Sequence, residues 1–290
     1  MRSTVLFLST ILMVSLAPEN SQAALDADAI AAAAGTTTTV KPDGVVRIGW
    51  ARDDVAVKID GLPFRPQAGL GSWAAFMETP RGAMVMGDTV VFQDEVDAAM
   101  DAAFANGLEV TALHNHFFYD DPKVYFMHIG GHGSPTDLAR GVKAMWDAVK
   151  AVRRANAIPA KRFGGAIPKY GDLNVAELDR IIGVKCTVNN GIPKASVPRE
   201  GKMNGVTIGG SMGLSSWAAF SGSDALAAMD GDIIMTGDEV QETLRALRKA
   251  GVHIVSLHNH MIGEGPAFFF THFWATGPAA ELAAAFKSAL

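Results

Sequence analysis

The sequence predicts an α+β protein built from two tandem homologous units, each a small antiparallel or mixed sheet with helices, which together form a pseudo-twofold pair. Two observations support this prediction: a long stretch of the chain is repeated, and each copy alternates strand-like and helix-like segments. The 290 residues are 49% hydrophobic and 19% charged. This composition supplies a globular core and excludes a disordered or collagen-like chain.

The repeat has a constant offset of 144 positions, which relates Trp73 to Trp217 and holds without a gap to residue 272. We therefore divide the chain into a first unit (residues 24–150), a linker (151–172) and a second unit (173–290). The matching segments are 72–76 with 216–220, Gly87-Asp88 with Gly231-Asp232, Asp94-Glu95-Val96 with Asp238-Glu239-Val240, Leu113-His114-Asn115-His116 with Leu257-His258-Asn259-His260, Pro122 with Pro266, and His128 with His272.

The elements of one unit follow from local patterns. Residues 83–92 are an apolar run typical of a strand, and residues 96–105 have apolar positions at the spacing of one helix face. Asn106-Gly107 ends that helix. Residues 108–116 alternate with period two, which predicts a strand. The remaining predicted elements are a strand over 124–129 and closing helices over 136–149 and, in the second unit, 279–290.

Residues 1–23 have the pattern of a cleaved secretory signal peptide. Arg2 precedes an apolar stretch over residues 5–17, and Ser21-Gln22-Ala23 places small residues at the two positions that signal peptidase reads. Thirteen residues are too few for a membrane-spanning helix, which needs about 20. We expect a periplasmic or secreted protein without stable membrane insertion once the signal is removed.

Charge and cysteine content exclude several classes of partner. The chain has 25 Lys+Arg and 30 Asp+Glu, a net charge of −5 without a basic run, so nucleic acid is not an expected partner. The single cysteine, Cys186, cannot form an intramolecular disulfide or a cysteine-based zinc site. A metal ion, if bound, must be held by His, Asp or Glu.

Six of the eight histidines lie at equivalent positions in the two copies, which makes them the candidate ligands. A five-residue hairpin loop over residues 119–123 would place His114 directly opposite His128, with His116 on the same face. Three neutral imidazoles with a water or a carboxylate form a known metal arrangement. Imidazole suits zinc, copper, iron and nickel, and zinc is our first expectation. The predicted metal ligands are His114, His116 and His128 in the first unit and His258, His260 and His272 in the second.

Four acidic residues are candidate fourth ligands or catalytic bases. These are Glu95 and Glu239, each at a helix start, and Asp120 and Glu264, each in the predicted turn. The helix-start acids also suit capping of free backbone amides. His132 has no counterpart in the second copy, and His253 is predicted on the opposite strand face from His258.

The segments 71–76, 94–96 and 107–116, with their counterparts in the second copy, resemble the LppY/LpqO family of exported bacterial proteins, a family of unknown function. The resemblance runs over nearly the whole chain after residue 23, and the repeated Leu-His-Asn-His is its most specific motif. Several members of that family look like lipoproteins. This chain lacks the lipid-accepting cysteine, which favours a form without a lipid anchor.

The leading functional hypothesis is an exported protein that binds a divalent transition metal in each unit. If it is an enzyme, the expected chemistry is metal-assisted hydrolysis. The alternative is a non-catalytic binding protein for a metal ion or a small-molecule ligand, with the histidines in a structural hydrogen-bond network. A third possibility is that one unit retains the site and the other is structural.

Overall fold

The computed structural model describes residues 24–290, so the predicted signal peptide lies outside the described residues. Across residues 24–290, no helix is long and apolar enough to cross a membrane. The chain combines helices with a mostly antiparallel set of strands, which confirms the α+β class. The α-helices are α1 (Ala27–Ala34), α2 (Val96–Ala105), α3 (Pro135–Ala155), α4 (Val175–Ile182), α5 (Val240–Lys249) and α6 (Ala279–Ser288).

The strands repeat in the same order in the two units. Those of the first unit are β1 (Thr39–Val40), β2 (Val46–Ala51), β3 (Val57–Ile59), β4 (Leu62–Phe64), β5 (Gly71–Thr79), β6 (Gly82–Phe92), β7 (Glu109–His114), β8 (Asp120–Asp121) and β9 (Val124–Gly133). Those of the second unit are β10 (Thr187–Asn189), β11 (Ile192–Pro198), β12 (Gly201–Met203), β13 (Val206–Ile208), β14 (Ser215–Gly222), β15 (Ala227–Thr236), β16 (His253–His258), β17 (Glu264–Gly265) and β18 (Phe268–Gly277).

Twelve of these strands form one sheet, in the order β1-β2-β5-β6-β9-β7-β16-β18-β15-β14-β11-β10. The second half of this order is the first half reversed. The halves join where β7 pairs with β16 in antiparallel register through Leu113 and Leu257, which are counterparts in the repeat. The pseudo-twofold axis of the paired units therefore passes through this leucine pair. The small strands make two three-stranded sheets, β4-β3-β8 and β13-β12-β17.

The helices cover one face of the large sheet. In α3, Leu138, Val142, Met145 and Val149 recur every three or four residues and are all buried, which is the spacing of a single helix face. They join one core cluster with strand residues such as Phe76. Within the described residues no helix covers the opposite face of the sheet, and the six repeated histidines lie there, half-buried or exposed.

Four local predictions are wrong. The strand predicted over 108–116 ends at His114, and the five-residue hairpin is replaced by a longer connection, because Asp120–Asp121 leaves the large sheet to pair with β3. β9 extends beyond the strand predicted over 124–129 and includes His132. The closing helix α3 continues to Ala155, and thus into the segment predicted as linker.

Candidate metal centre

Three neighbouring strands of the second unit bring polar side chains to the uncovered face of the sheet. Asp232 on β15 pairs with His272 on β18, and His272 pairs with Ser256 on β16. Directly paired residues share a face of the sheet. His258 lies two residues beyond Ser256 at the end of β16, and His260 follows in the next connection. The register therefore gathers one carboxylate and three imidazoles.

The four side chains, which we call the second cluster, are close enough to share one ion. One ligand atom from each of Asp232, His258, His260 and His272 lies within 4.8 Å of every other. His260 Nε2 is 3.4 Å from Asp232 Oδ2 and 3.1 Å from His258 Nε2. A His/Asp cluster of this kind could hold a metal ion.

The carboxylate of Asp232 is buried and incompletely paired. The residue is 2% exposed, and its Oδ1 has no hydrogen-bond partner among the described residues. Buried polar atoms are nearly always bonded, and each exception requires an explanation. A cation held between this carboxylate and the three imidazoles would supply the missing partner, so the residues present fit a metal ion.

The surroundings of the imidazoles orient them toward the cluster. His272 Nδ1 donates to the Gly231 carbonyl at 3.1 Å, and His258 Nδ1 lies 3.3 Å from the Ser256 hydroxyl. Each contact occupies Nδ1 and leaves Nε2 available as a metal ligand. A metal-binding histidine usually makes such a contact through its other ring nitrogen. The ring of His260 stacks on that of Phe270, with centroids 3.5 Å apart.

Burial favours the neutral form of His258. Desolvation lowers the pKa of this imidazole, and His272 and His260 lower it further, whereas the Asp232 carboxylate raises it in part. A metal ion binds the neutral imidazole. The ring is therefore in its ligand form at neutral pH.

The first unit carries the equivalent side chains, which we call the first cluster: Asp88, His114, His116 and His128. Asp88 is 8% exposed, and its Oδ1 also has no partner within residues 24–290. Desolvation raises the pKa of Asp88, and the three imidazoles of the first cluster oppose that rise. Burial also lowers the pKa of His116.

The first cluster is the looser of the two. His128 Nε2 is 4.0 Å from Asp88 Oδ2, although the ring centroids of His114 and His128 are 5.1 Å apart, close to the 5.0 Å between those of His258 and His272. Of the residues described, only the second cluster brings all its ligand atoms within 4.8 Å. The two units therefore have the same ligand set at different spacings.

The predicted register was wrong by two residues. His114 pairs with Phe126, and His128 pairs with Ala112, so His114 and His128 are diagonal rather than direct neighbours. The longer connection between β7 and β9 sets this register, and a β-bulge shifts it again between Val110 and Ala112. The rings still gather, because diagonal neighbours on one face are within reach of long side chains.

Sequence reasoning missed Asp88 and Asp232 as cluster members. A signal was present, because Gly87-Asp88 and Gly231-Asp232 repeat at the offset that relates the histidines. The pairing of β6 with β9 and of β15 with β18, which sets Asp88 beside His128 and Asp232 beside His272, was not predicted from the sequence.

The carboxylates predicted as bases are engaged elsewhere. Glu95 is fully buried and accepts from Arg52 at 2.8 and 2.9 Å and from the Phe92 amide at 2.8 Å. Glu239 makes the equivalent contacts with Arg199 and with the Thr236 amide. Each carboxylate accepts hydrogen bonds from a guanidinium group and a backbone amide, so neither is a free base.

The turn acids also bind backbone. Asp120 accepts from the Val124 amide at 2.6 Å and from Lys123 Nζ at 2.9 Å, and Glu264 accepts from the Phe268 amide at 3.0 Å. Both therefore order the connection that follows the His-Asn-His motif.

The other two histidines lie outside the clusters. His132 is exposed on β9. His253 contacts the Asp97 carboxylate through Nδ1 and stacks on Phe163 with ring centroids 3.5 Å apart. These two residues are therefore suitable controls for the six clustered histidines.

We expect Gly231→Ala to disturb the second cluster and the sheet together. A Cβ at this position would lie 2.1 Å from the Trp217 carbonyl oxygen and 2.4 Å from Phe273 Cζ. Overpacking of this kind costs about 1–3 kcal/mol, measured as the free energy of unfolding in urea. Gly49→Ala is the matched control, since its Cβ would meet only Ser72 O at 3.6 Å. Equal losses in the two variants would contradict the expectation.

Glu239 gives a stability effect that depends on pH. Arg199 is the main cause that lowers the pKa of this carboxyl from 4.5 to about 2. A pKa lowered by folding stabilises the protein above the unfolded value, and that contribution is lost as the pH falls from 4.5 to about 2. We therefore expect Glu239→Gln to be less stable than the original protein at pH 6, with a smaller difference at pH 3, in urea denaturation. A difference that grows on acidification would contradict the assignment.

Fold and site together define a duplicated α+β protein with a candidate metal centre in each unit. The chain belongs to the family described as Domain of Unknown Function (DUF1259), whose model matches residues 28–148 and again residues 176–290. The two matches confirm the tandem duplication.

No curated protein matches the chain. Among solved structures, a trimeric bacterial microcompartment shell protein PduB matches with 10% sequence identity, over 85% of this chain and 86% of that chain, with a TM-score of 0.23. A TM-score this low does not indicate a shared fold.

Proposed function

We propose that the protein binds a divalent transition-metal ion through Asp232, His258, His260 and His272 in the second unit, and through their counterparts in the first unit. The observation that carries this proposal is the buried, unpaired Oδ1 of Asp232 beside three imidazoles. The described residues supply no hydrogen-bond partner for that carboxylate oxygen. A bound cation satisfies it.

Zinc is the first metal expected. The ligand set is three nitrogens and one carboxylate, without a thiolate, and imidazole donors disfavour calcium and magnesium. Zinc takes four such ligands in tetrahedral geometry. Copper, iron and nickel accept imidazole as well, so the choice between these metals rests on measurement.

We also propose that the protein is exported, on the basis of the signal-peptide pattern over residues 1–23. The resemblance of its repeated Leu-His-Asn-His motif to the LppY/LpqO family supports the same proposal. The expected partner is then a metal ion or a small-molecule ligand of the periplasm or the extracellular medium.

The proposal is tested by metal content. Protein purified from the periplasm without a histidine tag is analysed by elemental mass spectrometry, and we expect one or two equivalents of a single transition metal. The double variant His114→Ala/His258→Ala should lose the metal. The matched control His132→Ala/His253→Ala removes the same number of imidazoles outside the clusters and should retain it. Protein that remains free of metal after incubation with zinc, copper, manganese and iron would overturn the proposal.

Metal-assisted hydrolysis is a second candidate function, favoured by the exposure of the clusters. The His260 side chain is 37% exposed and that of His128 is 35% exposed, so the ligands lie on a face that solvent reaches. A metal ion with an open position lowers the pKa of its bound water. Zinc-loaded protein should then hydrolyse a chromogenic carboxylic or phosphate ester faster than the Asp232→Asn variant. Equal rates would leave a binding protein as the function.

A further inference from the structure

The large sheet is interrupted on both sides of its central leucine pair. Within the described residues, β7 and β16 pair only through Leu113 and Leu257, because each strand ends one residue after its leucine. The earlier residues of each strand therefore lack a neighbouring strand on that side. This leaves two equivalent gaps, one beside Val110 of β7 and one beside Ile254 of β16, which are counterparts in the repeat.

The gap beside Val110 is filled by a side-chain amide. Gln241 on α5 accepts from the Val110 N–H through Oε1 at 3.0 Å and donates from Nε2 to the Val110 carbonyl at 2.8 Å. A residue of a neighbouring antiparallel strand would make the same two hydrogen bonds. The amide of Gln241 thus substitutes for the missing strand.

The gap beside Ile254 has no such side chain. The counterpart of Gln241 is Asp97, which lacks an amide and is shorter by one methylene. Its carboxylate contacts His253 and lies 2.8 Å from Arg248 Nη1. Across residues 24–290, no side chain hydrogen-bonds to the Ile254 N–H or carbonyl. The first unit therefore lacks the amide that closes the equivalent gap in the second.

A cavity of about 220 Å³ lies at the gap beside Ile254. It is on the helix-covered side of the sheet, since Val96 of α2 is part of its lining. Two aromatic rings, those of Tyr125 and Phe163, also line it, and Phe163 is held there by stacking on His253. Aromatic rings favour contact with another flat apolar group. The cavity therefore suits a ligand with a flat apolar body.

The charged groups of the lining balance. Asp94 and Asp97 supply two negative charges, and Lys161 and Arg162 supply two positive charges. This balance favours a neutral ligand. Asp94 Oδ1 is buried without a hydrogen-bond partner among the described residues. The cavity thus offers a ligand N–H a second acceptor besides the Ile254 carbonyl.

We propose that this cavity binds a small, neutral ligand that has a carboxamide group and a flat apolar body. The ligand amide pairs with the Ile254 N–H and carbonyl, as the amide of Gln241 pairs with those of Val110. The apolar body lies against Tyr125 and Phe163. The internal repeat identifies the chemistry of the ligand, because it shows the equivalent backbone position bound to an amide. The metal clusters lie on the opposite face of the sheet, so this proposal does not depend on metal binding.

The test uses benzamide as the probe and benzoate as its matched control, because a carboxylate has no N–H for the Ile254 carbonyl. Each compound is titrated into the isotope-labelled full chain, and backbone amide chemical shifts are followed. We expect saturable binding of benzamide, with a shift of the Ile254 amide and none at Val110. Benzoate should bind at least about tenfold more weakly, since it leaves the carbonyl unpaired.

Two substitutions of Asp97 test whether the gap itself is the site. Asp97→Gln introduces the residue of the second unit, whose amide should fill the gap and weaken benzamide binding at least about tenfold. Asp97→Asn is the matched control, because it removes the same charge but carries its amide on a side chain shorter by one methylene. This variant should bind benzamide within about twofold of the original protein.

Four results would overturn the proposal. The first is no benzamide binding at about 10 mM, and the second is equal affinity for benzamide and benzoate. The third is binding that leaves the Ile254 amide unshifted. The fourth is the same benzamide affinity in the Asp97→Gln and Asp97→Asn variants, because only the longer side chain can fill the gap.

Discussion

Replacement of Arg52 by alanine is expected to lower the free energy of unfolding by about 3–5 kcal/mol, the cost of removing one partner from a buried ion pair. The Arg52 and Glu95 side chains are fully buried and 2.8 Å apart. Arg52 also donates to the Val90 carbonyl at 2.9 Å and lies over the Phe92 ring. Its loss leaves Glu95, whose pKa desolvation raises, with Arg153 of α3 as the remaining cation beside it, Nε 2.6 Å from Glu95 Oε1. Urea denaturation measures the change.

The repeat provides a control for this prediction within the same molecule. Arg199 makes the equivalent contact with Glu239, but both side chains are partly exposed. Exposed ion pairs contribute about 0–1 kcal/mol, so Arg199→Ala should cost far less than Arg52→Ala. Similar losses for the two variants would show that cover by α3 does not determine the strength of the pair.

Substitution of Asp232 by asparagine is expected to reduce metal affinity at least about 100-fold, since a charged ligand is replaced by a neutral one. The same substitution should make the metal-free protein more stable, by about 1–3 kcal/mol, because it replaces a buried, incompletely paired carboxylate by a neutral amide. Isothermal titration with zinc and thermal unfolding of the metal-free protein measure the two effects. A lower zinc affinity together with a more stable metal-free protein would identify Asp232 as a metal ligand.

A structural histidine network predicts a different pair of results. In that case Asp232 would stabilise His260, 3.4 Å away, and its loss would destabilise the protein without changing metal content. The control is Asp230→Asn, an exposed position two residues earlier on the same strand. Neither zinc affinity nor stability should change in that variant.

The α+β class, the duplication and the six clustered histidines could be predicted from the sequence, because repeats and period-two alternation are local properties. The offset that relates Trp73 to Trp217 also relates the two clusters. The structure gathers each set of three histidines even though the predicted pairing of His114 with His128 was incorrect. A register error of two residues keeps the side chains on the same face of the sheet, so they remain close together. It changes only which residues pair directly.

Features that depend on distant pairing could not be predicted. Asp120 and Asp121 are of a residue type common in turns. Only their pairing with β3 shows that they lie outside the large sheet. The role of Asp232 requires the register of three strands. Glu95 was predicted as a candidate ligand or base from its position at a helix start. Its partner Arg52 lies 43 residues earlier and cannot be inferred from local spacing.

The leucine pair at the centre of the large sheet bears on the origin of the molecule. Leu113 and Leu257 are counterparts, and they join β7 to β16 where each unit would otherwise present an open strand edge. Two identical single-unit chains could make the same contact by pairing β7 with β7, which is the self-complementary interface of a symmetric homodimer. The protein therefore has the architecture of such a homodimer fused into one polypeptide. Fusion allows the halves to diverge, and the different spacing of the two clusters is an asymmetry that two identical subunits could not carry.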